Sequence, residues 1–222
     1  MTPLVKICGL RTPATLEAAL AAGADMVGFV FFPKSPRHVG LETARALGAR
    51  ARGRARIVAL TVDPDDSLLA NVVEALDPDV LQLHGRERPD RVAAIGARFG
   101  RATLKAIGVA APEDLDAAAA YEGAADFLLI DAKPPKGAAL PGGNGLPFDW
   151  RLARDFAPTR PWLLSGGLGP DNVAAAIRAT GARGVDVSSG VERAPGVKDE
   201  TKIAAFVAAA REAFARAAQG VE

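Results

Sequence analysis

Cysteine and histidine are nearly absent: Cys8 stands alone, with only His38 and His84, in 222 residues. One thiol makes no intrachain disulfide, so a disulfide scaffold is excluded, and a cysteine-rich zinc site with it. Aromatic residues are 5% of the chain, and 27 Lys and Arg nearly balance 26 Asp and Glu. Such a chain lacks both the basic surface and the stacking platforms of a nucleic-acid binder. Its densest basic stretch, Arg50, Arg52, Arg54 and Arg56, has no aromatic residue interleaved. It reads as a solvated helix end, where positive charge suits the helix dipole. Long apolar runs are missing too. The longest, Ile203 to Ala210, falls well short of the roughly 18 residues of a membrane span. Lys6 inside the first apolar stretch and Arg11 soon after do not fit a signal peptide. The expectation is a cytoplasmic protein with neither membrane nor nucleic acid as partner.

What the chain has in quantity is alternation. Hydrophobic residues are 49% and charged residues 24%, the balance of a folded domain. Short apolar runs followed by Ala-rich helical stretches occur eight times. The strand candidates are Leu4–Cys8, Met26–Phe32, Arg56–Val62, Val80–His84, Thr103–Ile107, Asp126–Asp131, Trp162–Ser165 and Gly184–Val187. Helices are predicted near 13–22, 41–51, 66–76, 88–98, 112–121, 149–156, 170–179 and 200–217. Pro13 and Pro112 suit first helical positions, and Asp65 or Asp66 and Asp149 suit N-caps. Gly23 and Gly181 sit just past helix ends, where a left-handed residue is wanted. Runs such as Ile57-Val58-Ala59-Leu60 show no polar alternation, as expected of parallel strands buried on both faces. Eight such units of about 28 residues fit a single α/β domain over residues 1–222, a (β/α)8 TIM barrel. The competing doubly wound sheet is disfavoured, because the first strand lacks a GxGxxG turn.

In a parallel barrel the chemistry gathers at the C-terminal strand ends. The polar residues there are Cys8, Gln82, His84, Asp131, Ser165, Asp186, Ser188 and Ser189, with Gly166, Gly167 and Gly190 among them. Glycines and serines after the seventh and eighth strands suit a phosphate, since bare backbone N–H groups approach an anion closely. Two ordinary turns would use the same residues. Cys8 reads either as an inert buried hydrophobe or as a thiolate at the barrel mouth, favoured by the cation of Lys6 on the same strand face. Asp131 ends an apolar strand, so its carboxyl is either a turn cap or a partly desolvated acid held protonated. His84 is either a substrate contact or a hydrogen-bonded strand end. Arg37 follows Pro36 in a loop too short to bury it, so it is a surface arginine or an anion clamp. Residues 132–148 hold four Pro and four Gly, a long connection that is either a binding loop or a surface insertion.

These residues carry a family resemblance. Lys6-Ile7-Cys8-Gly9 resembles the opening motif of the phosphoribosylanthranilate isomerases. So does Gly28-Phe29-Val30-Phe31 through Pro33-Lys34-Ser35-Pro36-Arg37. Leu81-Gln82-Leu83-His84-Gly85, Leu129-Ile130-Asp131, Gly142-Gly143-Asn144-Gly145 and Phe148-Asp149-Trp150 continue it. Ser165-Gly166-Gly167-Leu168, the run Gly184 to Glu192, and Pro195-Gly196-Val197-Lys198-Asp199 complete the set. The resemblance spans residue 5 to about 206. One departure is Asn144, where the family often has Thr.

The resemblance implies a (β/α)8 barrel for the third step of tryptophan biosynthesis. There N-(5-phosphoribosyl)anthranilate becomes 1-(2-carboxyphenylamino)-1-deoxyribulose 5-phosphate. It implies Cys8 as general base, Asp131 as general acid and Arg37 on the anthranilate carboxylate. Gln82 and His84 are expected at the substrate. Gly166, Gly167, Asp186, Ser188, Ser189 and Gly190 are expected at the phosphate, with Arg37 across the mouth from them. No cofactor or metal is implied, and the expected assembly is a monomer or homodimer. The histidine-pathway isomerase is a rival, but it resembles a two-aspartate design with Asp where this chain has Cys8. A non-catalytic sugar-phosphate binder is the other rival, and the presence of both Cys8 and Asp131 argues against it.

Overall fold

The computed structural model describes residues 2–133, 142 and 149–220. Eight parallel strands close a barrel in sequence order: β1 (Leu4–Cys8), β2 (Met26–Phe31), β3 (Arg56–Thr61), β4 (Val80–Leu83), β5 (Ala102–Val109), β6 (Phe127–Ala132), β7 (Trp162–Leu164) and β8 (Gly184–Val187). The ring shuts where β1 pairs with β8, with Lys6 opposite Asp186. Closure excludes the open doubly wound sheet.

The helices follow the local signals. In α1 (Pro13–Ala21) Thr12 caps the first turn, and Gly23 leaves it at φ +87°. Asp65 caps α3 (Asp66–Leu76) through the Leu68 N–H. Helices α2 (Leu41–Ala51) and α4 (Pro89–Phe99) complete the first half. The second half departs from expectation. The helix predicted over 112–121 divides into α5 (Pro112–Asp116) and a 3₁₀ helix over Ala117–Tyr121. The one predicted over 149–156 is only a 3₁₀ helix, Trp150–Ala153. Pro158 and Pro161 follow too soon for further turns. Helix α6 (Val173–Thr180) is regular, and α7 (Glu200–Ala218) is capped by Asp199. Between β8 and α7 lies a small antiparallel hairpin, β9 (Glu192–Ala194) and β10 (Val197–Lys198). The sequence reading took this stretch only for the approach to the last helix.

Three apolar clusters hold the ring, the smallest being Cys8, Val30 and Leu60 near the mouth. One lies between barrel and helices and includes Ile7, Phe29, Leu47 and Phe206. Another fills the lower interior with Met26, Val58, Val80, Leu104, Ala106, Leu129 and Leu163. Each larger side chain so buried contributes about 1.5–3 kcal/mol. The filling then changes character. Two residues further along their strands from Val80, Leu129 and Leu163 stand Gln82, Asp131 and Ser165. All three are buried, as are Lys6 and Asp186. Because strand side chains alternate with period two, each of those three strands supplies an apolar plug and then a polar group above it. The site sits on that dry floor.

Candidate active site

Cys8 ends β1 and is 3% exposed. Lys6, on the same strand face, is fully buried, and its Nζ donates to Asp186 Oδ1 at 2.7 Å. Burial alone would lower the Lys6 pKa, but Asp186 and Cys8 together hold it above the ordinary lysine range. At Cys8 the balance runs the other way. Burial pushes the thiol up, and the neighbouring Lys6 only partly offsets this, with Asp186 adding to the rise. Of the two sequence readings of Cys8, burial supports the thiol and Lys6 the thiolate, with desolvation the larger influence.

Across the mouth, Asp131 is 6% exposed. Its Oδ1 accepts from the Ala132 N–H at 2.8 Å, and its Oδ2 lies 3.4 Å from His84 Nε2. His84 Nδ1 is 3.1 Å from Gln82 Nε2. A row Gln82–His84–Asp131 thus runs from β4 to β6. The intervening strand has Gly108 in register with Asp131, and Lys133 packs against that bare position. Gln82 Oε1 is buried without a partner among the described residues. Gly142 comes down onto this row. A Cβ there would lie 2.5 Å from His84 Nε2 and 2.7 Å from Asp131 Oδ2, so a side chain at 142 would displace the ends of this row. Residue 132 to Lys133, Gly142 and Asp149 apart, the long Pro/Gly connection lies outside the described residues, and so does Asn144.

Arg37 departs from its expectation twice. It is 5% exposed, not a surface group, because Nε and Nη2 donate to Glu192 Oε1 and Oε2 at 2.8 and 2.9 Å. Nor does its loop lie across the mouth from the phosphate loops. In the closed order only β1 separates β2 from β8, and Arg37 reaches the residues that follow β8. The side-on edge of the guanidinium is taken; its five donors leave the Nη1/Nη2 end for a second carboxylate.

The loops after β7 and β8 meet backbone to backbone. Gly166 and Gly167 have φ of +85° and +68°, and a Cβ on Gly190 would lie 1.8 Å from the Leu168 carbonyl oxygen. Trp150 Nε1 donates to the Gly166 carbonyl, and Asn172 Nδ2 to that of Gly167. Ser189 opens a 3₁₀ helix over Ser189–Val191. Ser188 Oγ donates to the Cys8 carbonyl at 3.3 Å. Asp186 does not belong with these residues. Its carboxylate accepts from Lys6 and from Ser165 Oγ, and an anion in that place repels phosphate. It anchors Lys6 below the site instead.

Two residues were not foreseen as part of the site. Glu192, paired with Arg37, is also reached by Lys198 Nζ at 2.9 Å, and both are buried. Burial would raise Glu192, yet Arg37 and Lys198 hold it below the usual carboxylate range. Burial keeps Lys198 below the usual lysine range despite Glu192. Their sequence signal was faint: two charges flanking a Pro-Gly turn. Among the described residues, no group of three or more His, Cys, Asp or Glu is placed to hold a metal ion. No helix there is long and apolar enough to cross a membrane.

Comparison with known proteins shows the family. The family profile described as N-(5'phosphoribosyl)anthranilate (PRA) isomerase matches residues 5–209. N-(5'-phosphoribosyl)anthranilate isomerase of Rhodopseudomonas palustris strain HaA2 is 60% identical over 95% of this chain and 97% of its own. That of Nitrobacter hamburgensis is 59% identical over 96% and 95%. The crystal structure of phosphoribosyl anthranilate isomerase from Thermotoga maritima superposes with a TM-score of 0.85 at 34% identity, over 96% of this chain and 100% of that one. A structure of such an isomerase in complex with reduced 1-(o-carboxyphenylamino)-1-deoxyribulose 5-phosphate superposes at 0.81 with 33% identity and the same coverage. The chain belongs to the N-(5'-phosphoribosyl)anthranilate isomerase family.

Proposed function

We propose that the residues at this barrel mouth carry out the Amadori rearrangement of N-(5'-phosphoribosyl)anthranilate to 1-(2-carboxyphenylamino)-1-deoxyribulose 5-phosphate, a step of tryptophan biosynthesis. The carrying observation is the pairing of one thiol and one carboxyl, Cys8 and Asp131, at the ends of β1 and β6 above a dry apolar floor. Asp131 protonates the furanose ring oxygen. The C1–O bond breaks as the anilino nitrogen lone pair forms an iminium. That cation acidifies the C2 proton, which passes to the Cys8 sulfur; the thiol first gives its own proton to solvent and acts in its minor thiolate form. The resulting enolamine takes up a proton at C1 and gives up its C2 hydroxyl proton, becoming the ketone. Every electron pair stays within substrate and acid–base groups, so the reaction is a redox-neutral isomerisation. Each proton transfer contributes about 10²–10⁴-fold.

Substrate binding uses two neighbouring anion sites at the mouth, on either side of β1. The phosphate lies against Gly166, Gly167, Ser188, Ser189 and Gly190, at the short helix after β8. The anthranilate carboxylate meets the open end of the Arg37 guanidinium, and Gln82 and His84 face the substrate from β4. The substrate is a small molecule, with no nucleic acid or membrane involved. The protein acts in the cytoplasm, as one (β/α)8 domain in a monomer or homodimer.

The test supplies phosphoribosylanthranilate, generated in place because it is labile, and follows its loss. The wild type is expected to exceed the uncatalysed rate by orders of magnitude. Asp131→Asn, which keeps the shape but has no proton to give, is expected to lose about 10² or more of turnover with little change in ligand affinity. Undiminished turnover in that variant would remove Asp131 from the mechanism.

A further inference from the structure

Glu192 and Lys198 form a buried ion pair that the reaction as written does not use. Buried pairs are costly to build from water-exposed charges and contribute little net stability, so their contacts need another explanation. Glu192 holds the side-on edge of Arg37 with both oxygens, and its Oε2 also accepts from the Gly196 N–H at 3.2 Å. Lys198 donates to Glu192 Oε1, to the Ser188 carbonyl at 2.8 Å and to Ser188 Oγ at 3.3 Å. Ser188 in turn donates to the carbonyl of Cys8. One connected set of hydrogen bonds therefore joins the carboxylate end, the phosphate end and the backbone of the base. The hairpin supplies both charges: β9 opens with Glu192 and β10 closes with Lys198. Its turn is seated on the loop after β2, since a Cβ on Gly196 would lie 2.4 Å from the Pro36 carbonyl oxygen.

We infer that Glu192 and Lys198 are positioning residues that set substrate specificity by fixing the separation between two neighbouring anion-binding groups, the Arg37 guanidinium and the loop after β8. Glu192 immobilises one edge of Arg37, so that only the end-on edge faces the substrate. Lys198 pins Ser188 at a set place in the phosphate loop. The set carries two cations and one carboxylate, and its net positive charge favours an anionic ligand beside it. This inference rests on the reading of Arg37 as the carboxylate contact.

Two ligands separate the roles: the reduced product analogue, with carboxyphenyl ring and phosphate, and ribulose 5-phosphate, which has the phosphate alone. Glu192→Gln is expected to weaken the first about 30-fold or more and to leave the second little changed. The same variant is expected to raise KM far more than it lowers kcat. Lys198→Met is expected to weaken both ligands alike, since both depend on Ser188. Glu192→Asp keeps the charge but withdraws it from Arg37, so it is expected to reproduce the selectivity of Glu192→Gln. Arg37→Ala is the control on the underlying reading. If it fails to discriminate between the ligands, the assignment of the carboxylate end is wrong. If it discriminates and both Glu192 variants do not, the positioning role alone is overturned. Loss of the folded state in both Glu192 variants would make the pair part of the scaffold and overturn the inference equally.

Discussion

At the residue scale the central fact is that Cys8 is dry. A thiolate is the reactive form, yet burial favours the thiol more than Lys6 opposes it. A raised pKa moves the deprotonated fraction to higher pH. Alkylation of Cys8 in the ligand-free protein is therefore expected to be slow near neutrality and to rise about tenfold per pH unit through the ordinary cysteine range. A plateau already reached by about pH 8 would show a preformed thiolate instead. Cys8→Ala is expected to lower turnover about 10² or more while leaving phosphate affinity little changed, measured in a variant shown to be folded. The two assays are independent, since the first reads the sulfur and the second the reaction. The sequence named Cys8 and Lys6 as neighbours but not the charge state, because that depends on how much water the finished fold excludes.

At the scale of elements, the loops after β7 and β8 work as one piece. Gly190 has no space for a side chain, because the Leu168 carbonyl occupies it. Gly190→Ala must push the two loops apart, at a cost of about 1–3 kcal/mol. The expected result is a Kd for inorganic phosphate raised about tenfold, read by titration, with the helix content unchanged. An unchanged Kd would place the phosphate elsewhere. The glycines and serines of these loops were legible from composition alone. The hairpin β9–β10 was not, since five or six residues around Pro195-Gly196 give little periodicity. Only its seating on the loop after β2 turns two surface-looking charges into buried partners.

At the scale of the molecule, barrel floor and barrel mouth are separable. Leu163 is fully buried in the lower interior, two positions before Ser165. Leu163→Ala is expected to cost about 2–5 kcal/mol of stability, read by denaturant melting. Turnover at a temperature where both proteins stay folded is expected to change little. A large loss of turnover at full folding would mean that the floor shapes the site directly.

The sequence by itself determined the eight βα repeats, the parallel sheet and the strand ends at which chemistry gathers. These follow from local causes: apolar runs, N-caps, glycine stops and a strand period of two. It also placed Cys8, Asp131, Gln82 and His84 at the mouth, because register along a strand is counted from its apolar residues. Tertiary structure alone decided which charges meet. Lys6 and Asp186 are 180 residues apart and Arg37 and Glu192 are 155, and no local pattern couples such positions. Ring closure beside β1 brings each pair together. There burial turns Arg37 from a loop residue into a fixed one, ties Asp186 to Lys6, and raises the Cys8 thiol.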